Sequence, residues 1–523
     1  MPSVNNTVGT HAALSSLLKT EREMLTAMQR ISTGKRINNA GDDAAGAAIS
    51  DRMTAQIRAL DMSVRNASDV MSMAQVAEGA LDNASNALQR MRELSIQAAT
   101  DIVNAEQKIY LQTEVEQLLD EMDRVTRDTT FNEIAVLDGT FADRRFQIGA
   151  MEREKAVISI GNLRNTNIGA YQTTTTGTSG EANLAQNVVA GAAASSITSK
   201  TVDGDDFSIT GLIGTGSIAV AAGDTAKTIA LAVNNSFSST GVSATASTQV
   251  KLQVNSSASA MQGTGKVVTM NIYGKNSSAQ SITAAIGIGS TVGTSDLTDL
   301  RDQINSFSAV TGITGTLSAD KTTLVLVQDE GEDIVIENVD FAGVTTDVST
   351  TAFTATGTNF KQDTDGTSIT ITDSSNTSNN TDSFRVGGEI TFHSSHTFSV
   401  NGTANGGLFE AAAAASSLNS ISTIDIKTMA GAVDALKVID RALDRIHMER
   451  AKFGAIQSRM NHVVDNLTNV SQNQSASRAR IRDANFATES AKLSKAQVLQ
   501  QSAMNMIAQA SRTMQNVLVL FQG

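Results

Sequence analysis

The chain has no cysteine and no tryptophan, and its only proline is Pro2. Without cysteine there is no disulfide, no thiolate metal site and no thiol nucleophile. Average proline usage of about 5% would put roughly 26 prolines in a chain this long. Proline interrupts both helices and strand ladders, so its scarcity fits long helices and dense sheets. No run of about 18 apolar residues occurs, so no transmembrane helix is expected. The opening MPSVNNTVGTHAALSSLLKTEREM lacks a basic segment followed by an apolar one. It does not read as a cleavable secretory signal, and export would need another route. The balance of 40 Lys and Arg against 53 Asp and Glu leaves a net charge of -13. That sign repels phosphate and argues against nucleic acid as a partner.

The 523 residues suffice for several domains. Composition divides them into three. Residues 1 to about 170 carry regular charges with many Ala, Met and Leu. Residues from about 172 to 425 are rich in Thr, Ser, Gly and Asn. Residues from about 426 onward return to the first composition. Helix-like ends therefore flank a strand-like middle, and the simplest arrangement packs the two ends together. The expected fold class is multidomain α+β: a long helical coiled-coil core of paired N- and C-terminal regions, carrying β-rich inserted outer domains.

Periodicity supports this division. Leu14, Leu17, Met24, Met28 and Ile31 follow three-four spacing. Gly34 and Gly41 punctuate the run, and Asp42 and Asp43 precede the next, as acidic residues do at a helix N-terminus. The following run, from Met53 to Met91, predicts a helix over 43–100, about 90 Å long at 1.5 Å per residue. Leu111, Val115, Leu118, Met122 and Val125 predict a third helix. A β-hairpin is expected over Asn132–Ile160. Near the C-terminus, Leu436, Ile439, Leu443, Ile446, Phe453, Met460, Val463, Leu467 and Val470 hold heptad spacing, with Arg450 in one seam slot. A last run contains Leu493, Ala496, Ala503, Ile507, Ala510, Met514 and Val517.

The middle reads as strands and turns, for example QVKLQV, VVTMNIYG and TLVLVQDEGEDIVIENVDF. It also repeats itself. IALAVNNSFSSTGVSATAS (229–247) resembles LRDQINSFSAVTGITGTLS (300–318), each predicting a short helix that feeds a strand. Two related subdomains are expected, with the repeated unit near 225–253 and 294–341.

Motifs for chemistry are weak. His393 and His396, in TFHSSHTFS, read as a surface pair, and no HExxH occurs. There is no phosphate-binding GxxxxGK[ST] loop, and GTGSIA and GIGSTV lack the third glycine of a dinucleotide fold. DTDGTS does not meet EF-hand spacing. Hydroxyls such as those of TTTTGTSG (173–180) could carry glycans on composition alone. No catalytic residue, metal site or cofactor is therefore assigned, and an enzyme is not expected.

Several long segments carry a family resemblance. RISTGKRINNAGDDAAGAAISDRM (30–53), SNALQRMRELSIQAAT (85–100) and DEMDRVTRDTTFNEIAVLDGTF (120–141) resemble the N-terminal core of bacterial flagellin. SRARIRDANFATESAKLSKAQVLQQSAMNMIAQASRTMQNVL (477–518) resembles its C-terminal core. The likeness covers about the first 170 and last 100 residues. The repeated unit is similar to a small repeat in inserted domains of some flagellins and hook-associated proteins. One departure is the ending VLVLFQG, where the family usually closes on a basic residue.

The resemblance implies a subunit that polymerises into the helical flagellar filament, outside the cell, exported by the flagellar type III apparatus. The alternatives are a hook–filament junction protein or a flagellin whose insert is an adhesin. Residues 1–45 and 476–523 would form an inner helical coiled coil. Residues 46–171 and 426–475 would form an outer helical layer with the hairpin, and 172–425 a surface-exposed insert. The assembly seam would comprise Leu14, Leu17, Met24, Met28, Ile31, Leu493, Ile507, Met514 and Val517. The ends are expected to order when neighbouring copies bury these stripes. Implied partners are further copies of the chain, an export chaperone at the C-terminal helix, filament cap and hook-junction proteins, and a Toll-like innate immune receptor. The receptor would recognise Gln89, Arg90, Glu93 and Leu94 of QRMREL, with Glu114. Neither nucleic acid nor membrane insertion is implied.

Overall fold

The computed structural model describes residues 8–100, 102–175, 188–191, 206–221, 223–254, 263–288, 296–318, 320–342, 353–358, 368–371, 382–402 and 413–521. The chain forms two compact units. One is Met1–Val76, Ala142–Ser159 and Lys452–Gly523; the other is Ala77–Phe141 and Ile160–Ala451.

Three helices open the chain: α1 (Val8–Thr33), α2 (Ala44–Ala98) and α3 (Ala105–Asp128). Asp43 starts α2, its Oδ1 accepting from the Gly46 N–H at 2.9 Å. Gly46 has no room for a side chain, since a Cβ there would meet Asp43 and Ile37 within 2.8 Å. Asn104 and Gln107 start α3 with a reciprocal capping box that satisfies two otherwise unpaired N–H groups. The single hairpin expected over 132–160 is two. The first pairs β1 (Thr130–Phe131) with β2 (Ile134–Ala135); the second pairs β3 (Arg144–Gln147) with β4 (Lys155–Ile158). Asn132 and Glu133 both have positive φ, at 50° and 63°, as a two-residue type I′ connection requires.

The middle then runs through β5 (Gly169–Thr174), β6 (Val188–Gly191), β7 (Phe207–Thr210), β8 (Thr215–Ile218), α4 (Ala226–Asn235), α5 (Phe237–Thr240), β9 (Ser243–Val254), β10 (Gly263–Tyr273) and β11 (Gln280–Ile288). It continues through α6 (Thr298–Ser306), α7 (Ser308–Thr311), β12 (Ile313–Leu317), β13 (Thr323–Gln328), β14 (Ile334–Ala342), β15 (Phe353–Gly357) and β16 (Ser368–Ile371). It closes with β17 (Ser383–Val386), β18 (Glu389–Ser394), β19 (Ser399–Asn401), β20 (Ala413–Ala415) and β21 (Ser417–Ser420). Two long helices, α8 (Met429–Arg482) and α9 (Phe486–Phe521), complete the chain.

All described strand pairs in the middle are antiparallel. One sheet has the order β11-β10-β14-β17-β6, another β12-β13-β9-β18-β5-β21, and a third β20-β19-β7-β8. Strand β9 carries the second sheet: Ser243–Ser247 pair with β18, and Thr248–Gln253 with β13. Among the described residues of the middle, two hydrophobic cores result. In one, Leu300 and Ile304 of α6 pack with Val250, Leu252, Ile272, Leu326 and Phe341. In the other, Ile229 and Val233 of α4 pack with Phe207, Ile209, Val242 and Phe392. Each core contains one copy of the sequence repeat.

The repeat is stereochemical as well as sequential. Asn234 clasps the first strand by donating to the Ala244 carbonyl (2.9 Å) and accepting from the Ala244 N–H (2.8 Å). Asn305 does the same to Gly315 at 3.0 and 2.6 Å. Gly241 and Gly312 both sit at φ 73°, where a Cβ is disfavoured, and turn the chain from helix to strand.

Two further expectations change. On α8 Ile439, Ile446, Phe453 and Met460 of the expected heptad are buried, together with Ala432, Ala435, Val438 and Ala442, while Leu436 and Leu443 are only half-buried. Three alanines alternate there with Val438, Ile439 and Ile446, and neither leucine is enclosed. His393 and His396 are not a surface pair: His393 is 3% exposed, and His396 lies against Arg445. Strand alternation turns His393 away from the Phe392 core, but α8 covers that second face too. DTDGTS and the 176–180 part of TTTTGTSG lie outside the described residues or at their edge.

Candidate functional site

In the first unit, α1 and α9 pair antiparallel. Arg30, near the end of α1, reaches Glu489, in the first turn of α9, at 3.6 Å. The connector after α1 is pinned to the break between α8 and α9. Arg36 N–H donates to the Arg482 carbonyl at 2.6 Å, and Ala484 N–H donates to the Gly34 carbonyl at 2.9 Å. Gly34 takes φ 69°, which suits glycine and allows this turn. Asp42 accepts from the N–H groups of Asn39 (2.9 Å) and Asn38 (3.0 Å). Those two backbone donors, Asn39 first, hold its carboxyl below the ordinary range. Asn485 accepts from Ala487 and Thr488 and starts α9.

The contact within one chain uses little of the apolar surface on these helices. Ala27 and Ala496 are buried, and so is Thr20. Of the seam residues read from spacing, Leu17, Met24, Ile31, Leu493 and Ile507 are half-buried, while Leu14 and Met28 are exposed. Met514 and Val517 lie on α9, and their side chains fall outside the described residues. Spacing missed a second set: Leu18, Leu25 (56% exposed), Val498 (65%), Met504 and Met506 (68%) stand in the open. Their signal in the sequence is an excess of apolar residues beyond what one face of a helix needs.

The second unit displays a charged patch on α2 and α3. Arg90 donates to Glu114 at 2.9 Å and to Glu93 at 3.0 Å. The hydrogen bond to Glu114, then that to Glu93, raises the Arg90 pKa further above its usual value. Gln89 is exposed beside it. Leu94 is not part of this surface: it is 1% exposed, on the buried face of α2 with Leu88 and Met91. Arg450 reaches Asp82 at 3.1 Å rather than filling an apolar slot.

Among the described residues no three His, Asp or Glu side chains gather as a metal site, and no helix is long and apolar enough to cross a membrane. The most developed surfaces are therefore the exposed apolar residues of α1 and α9 and the Arg90 patch.

Comparison with known proteins finds matches at both ends of the chain and along its length. The family described as the bacterial flagellin N-terminal helical region matches residues 4–142, and the corresponding C-terminal helical region matches 436–521. The flagellin hook IN motif matches 206–258, which holds the first copy of the repeat. A B-type flagellin of Pseudomonas aeruginosa is 35% identical over 99% of both chains. Flagellin D of Vibrio cholerae is 27% identical, covering 98% of this chain and 97% of its own. Among solved structures, that of FliC from Burkholderia pseudomallei is 17% identical, with a TM-score of 0.28, over 75% of this chain and 99% of its own.

Proposed function

The chain belongs to the bacterial flagellin family and is a structural subunit of the helical flagellar filament, and on that premise we propose that successive copies join through the apolar residues left exposed on α1 and α9. One observation carries this reading: Leu18, Leu25, Val498, Met504 and Met506 stay open on a helix pair whose own contact is already closed by Ala27 and Ala496. Exposed apolar patches on this scale mark interaction surfaces. Their burial, at about 25 cal/mol per Å², supplies the driving force. Ordering the helices, at about 1–2 kcal/mol per residue, opposes it. Growth is then favoured only where several neighbours already stand. A head-to-tail contact that does not close gives an open helical polymer.

In this arrangement residues 1–45 and 476–523 form the inner layer, 46–171 and 426–475 the next, and 172–425 the outer surface. Export would use the flagellar type III route, with a chaperone on the C-terminal helix. Cap and hook-junction proteins would meet the same ends. The test is to add short filament seeds to the purified chain and follow growth by electron microscopy and circular dichroism. Long filaments with a rise in helix content are expected. Absence of growth, or growth with unchanged helix content, would count against the ordering step.

The Arg90 patch is the proposed contact for a Toll-like receptor, with Gln89, Arg90, Glu93 and Glu114 presented on adjacent helices. Leu94, being buried, would support the helix beneath the patch. Reversing Arg90 to Glu removes both ion pairs and sets three carboxylates together. At least about tenfold more protein is expected for half-maximal receptor activation, equivalent to about 1.4 kcal/mol. An unchanged dose response in a receptor reporter assay would remove Arg90 from the contact.

A further inference from the structure

Strand β18 separates two environments. Side chains alternate along a strand, so Ile390 and Phe392 enter the core shared with α4, while Glu389, Thr391 and His393 take the other face. Lys437 and Arg441 of α8, one helical turn apart, meet that face and the adjacent face of β9. Lys437 Nζ donates to Thr245 Oγ1 at 3.2 Å. The same Thr245 oxygen lies 3.0 Å from His393 Nε2. Arg441 Nη2 donates to Ser243 Oγ at 3.2 Å, and that hydroxyl lies 3.3 Å from the His393 carbonyl. His393 Nδ1 is buried and has no hydrogen-bond partner among the described residues.

This constellation tolerates a neutral imidazole and not a charged one. Neutral His393 can accept the Thr245 hydroxyl proton while Thr245 accepts from Lys437. An imidazolium would be a third cation beside Lys437 and Arg441. With Nε2 accepting, Nδ1 carries the hydrogen in both states. What charging changes is Nε2, which becomes a donor, so the Thr245 oxygen would have to accept from two cations and its own proton would lose its acceptor. Strands β9 and β5 offer neutral groups here: Ser243 and Thr245 on β9, Gln172 on β5. The carboxylates nearby, Asp434 on α8 and Glu389 on β18, act on Lys437.

We infer that His393 makes the contact between the β9–β18 face and α8 an acid-released joint, closed while the imidazole is neutral and opened when it takes up a proton.

The electrostatics support this. Burial first, then the charges of Lys437 and Arg441, hold the His393 pKa down to about 3 from 6.5. Burial also lowers the Lys437 pKa. In an opened joint the ring meets water and returns to its ordinary pKa. The folded value is depressed, so the stabilising contribution is complete above 6.5 and falls as pH drops from there towards 3. Arg445, one further turn along α8, touches His396 and Glu449 and stands outside the Thr245 pair.

The chain has no native cysteine, so two spin labels can be placed cleanly, at Leu212→Cys on the β7–β8 turn and His447→Cys on α8, both exposed in the full chain. Pulsed dipolar spectroscopy at about pH 7.5 should give one distance, and a longer population should grow below about pH 6.5. His393→Gln keeps a polar group for Thr245 and cannot charge; it should hold the single distance down to about pH 4. An equal acid response in His393→Gln, or no response in the parent labelled chain, overturns the inference. If circular dichroism shows His393→Gln unfolded, Lys437→Met decides. Removing that cation should bring the closed-state imidazole pKa nearer its ordinary value, so protonation opens the joint less and the opening midpoint moves to lower pH. An unchanged titration overturns the inference.

Discussion

Leu25→Glu will leave the isolated chain folded and stop filament growth at concentrations where the parent polymerises. Leu25 is 56% exposed on α1, so the single chain gains little from it. Surface changes of this kind usually move stability by no more than about 0.5 kcal/mol. In the proposed filament the same side chain is buried by a neighbour, a gain of about 1.5–3 kcal/mol for a leucine. Glutamate forfeits that gain and brings an unpaired carboxylate into an apolar contact. The critical concentration should therefore rise by at least about tenfold, since 1.4 kcal/mol is a factor of ten. Sedimentation of seeded samples measures it. An unchanged critical concentration would take Leu25 out of the contact and shift attention to α9, where Val498 and Met506 are the next candidates.

Phe392→Ala should have the opposite pattern. Phe392 is fully buried on β18 and meets Phe207 edge-to-face, with centroids 5.9 Å apart and planes at 87°. Truncating such a ring leaves a cavity and costs about 3–5 kcal/mol. For a cooperative unit of about 150–250 residues that lowers the midpoint by roughly 6–20 °C. Scanning calorimetry should show this early transition in the β-rich middle. Seeded growth near room temperature should continue at the parent rate, because the residues proposed to join copies lie on α1 and α9. Loss of growth together with the lowered transition would show that assembly depends on the middle as well as the ends.

The two patterns reflect different legibility. The long helices were readable because each is set by a local period: Ala44–Ala98 falls within two residues of the span 43–100 that spacing predicts, and Ala105–Asp128 encloses the run from Leu111 to Val125. Turn chemistry was less readable. Asn132–Glu133 gives no strong turn dipeptide, and the single hairpin expected there is two short ones. The repeat was visible as Asn-Ser-Phe-Ser, yet the residues that do its work are Asn234 and Asn305, which reach ten residues ahead to hold Ala244 and Gly315. Leu94 matched a motif, but a motif does not say which side of a helix is covered.

From the sequence alone came the three-part division, the pairing of helical ends, the duplicated unit and the family likeness. Each rests on short-range pattern: composition, three-four spacing, or contiguous motif. Only the tertiary structure decided which apolar residues remain open, that alanines rather than Leu436 and Leu443 share the buried stripe of α8, and that His393 is enclosed. Those outcomes depend on contacts between distant parts of the chain. Thr245, His393 and Lys437 are nearly two hundred residues apart at the extremes, and no local period relates them. Burial follows from what the rest of the chain places against a side chain, and that is settled only when β9, β18 and α8 come together.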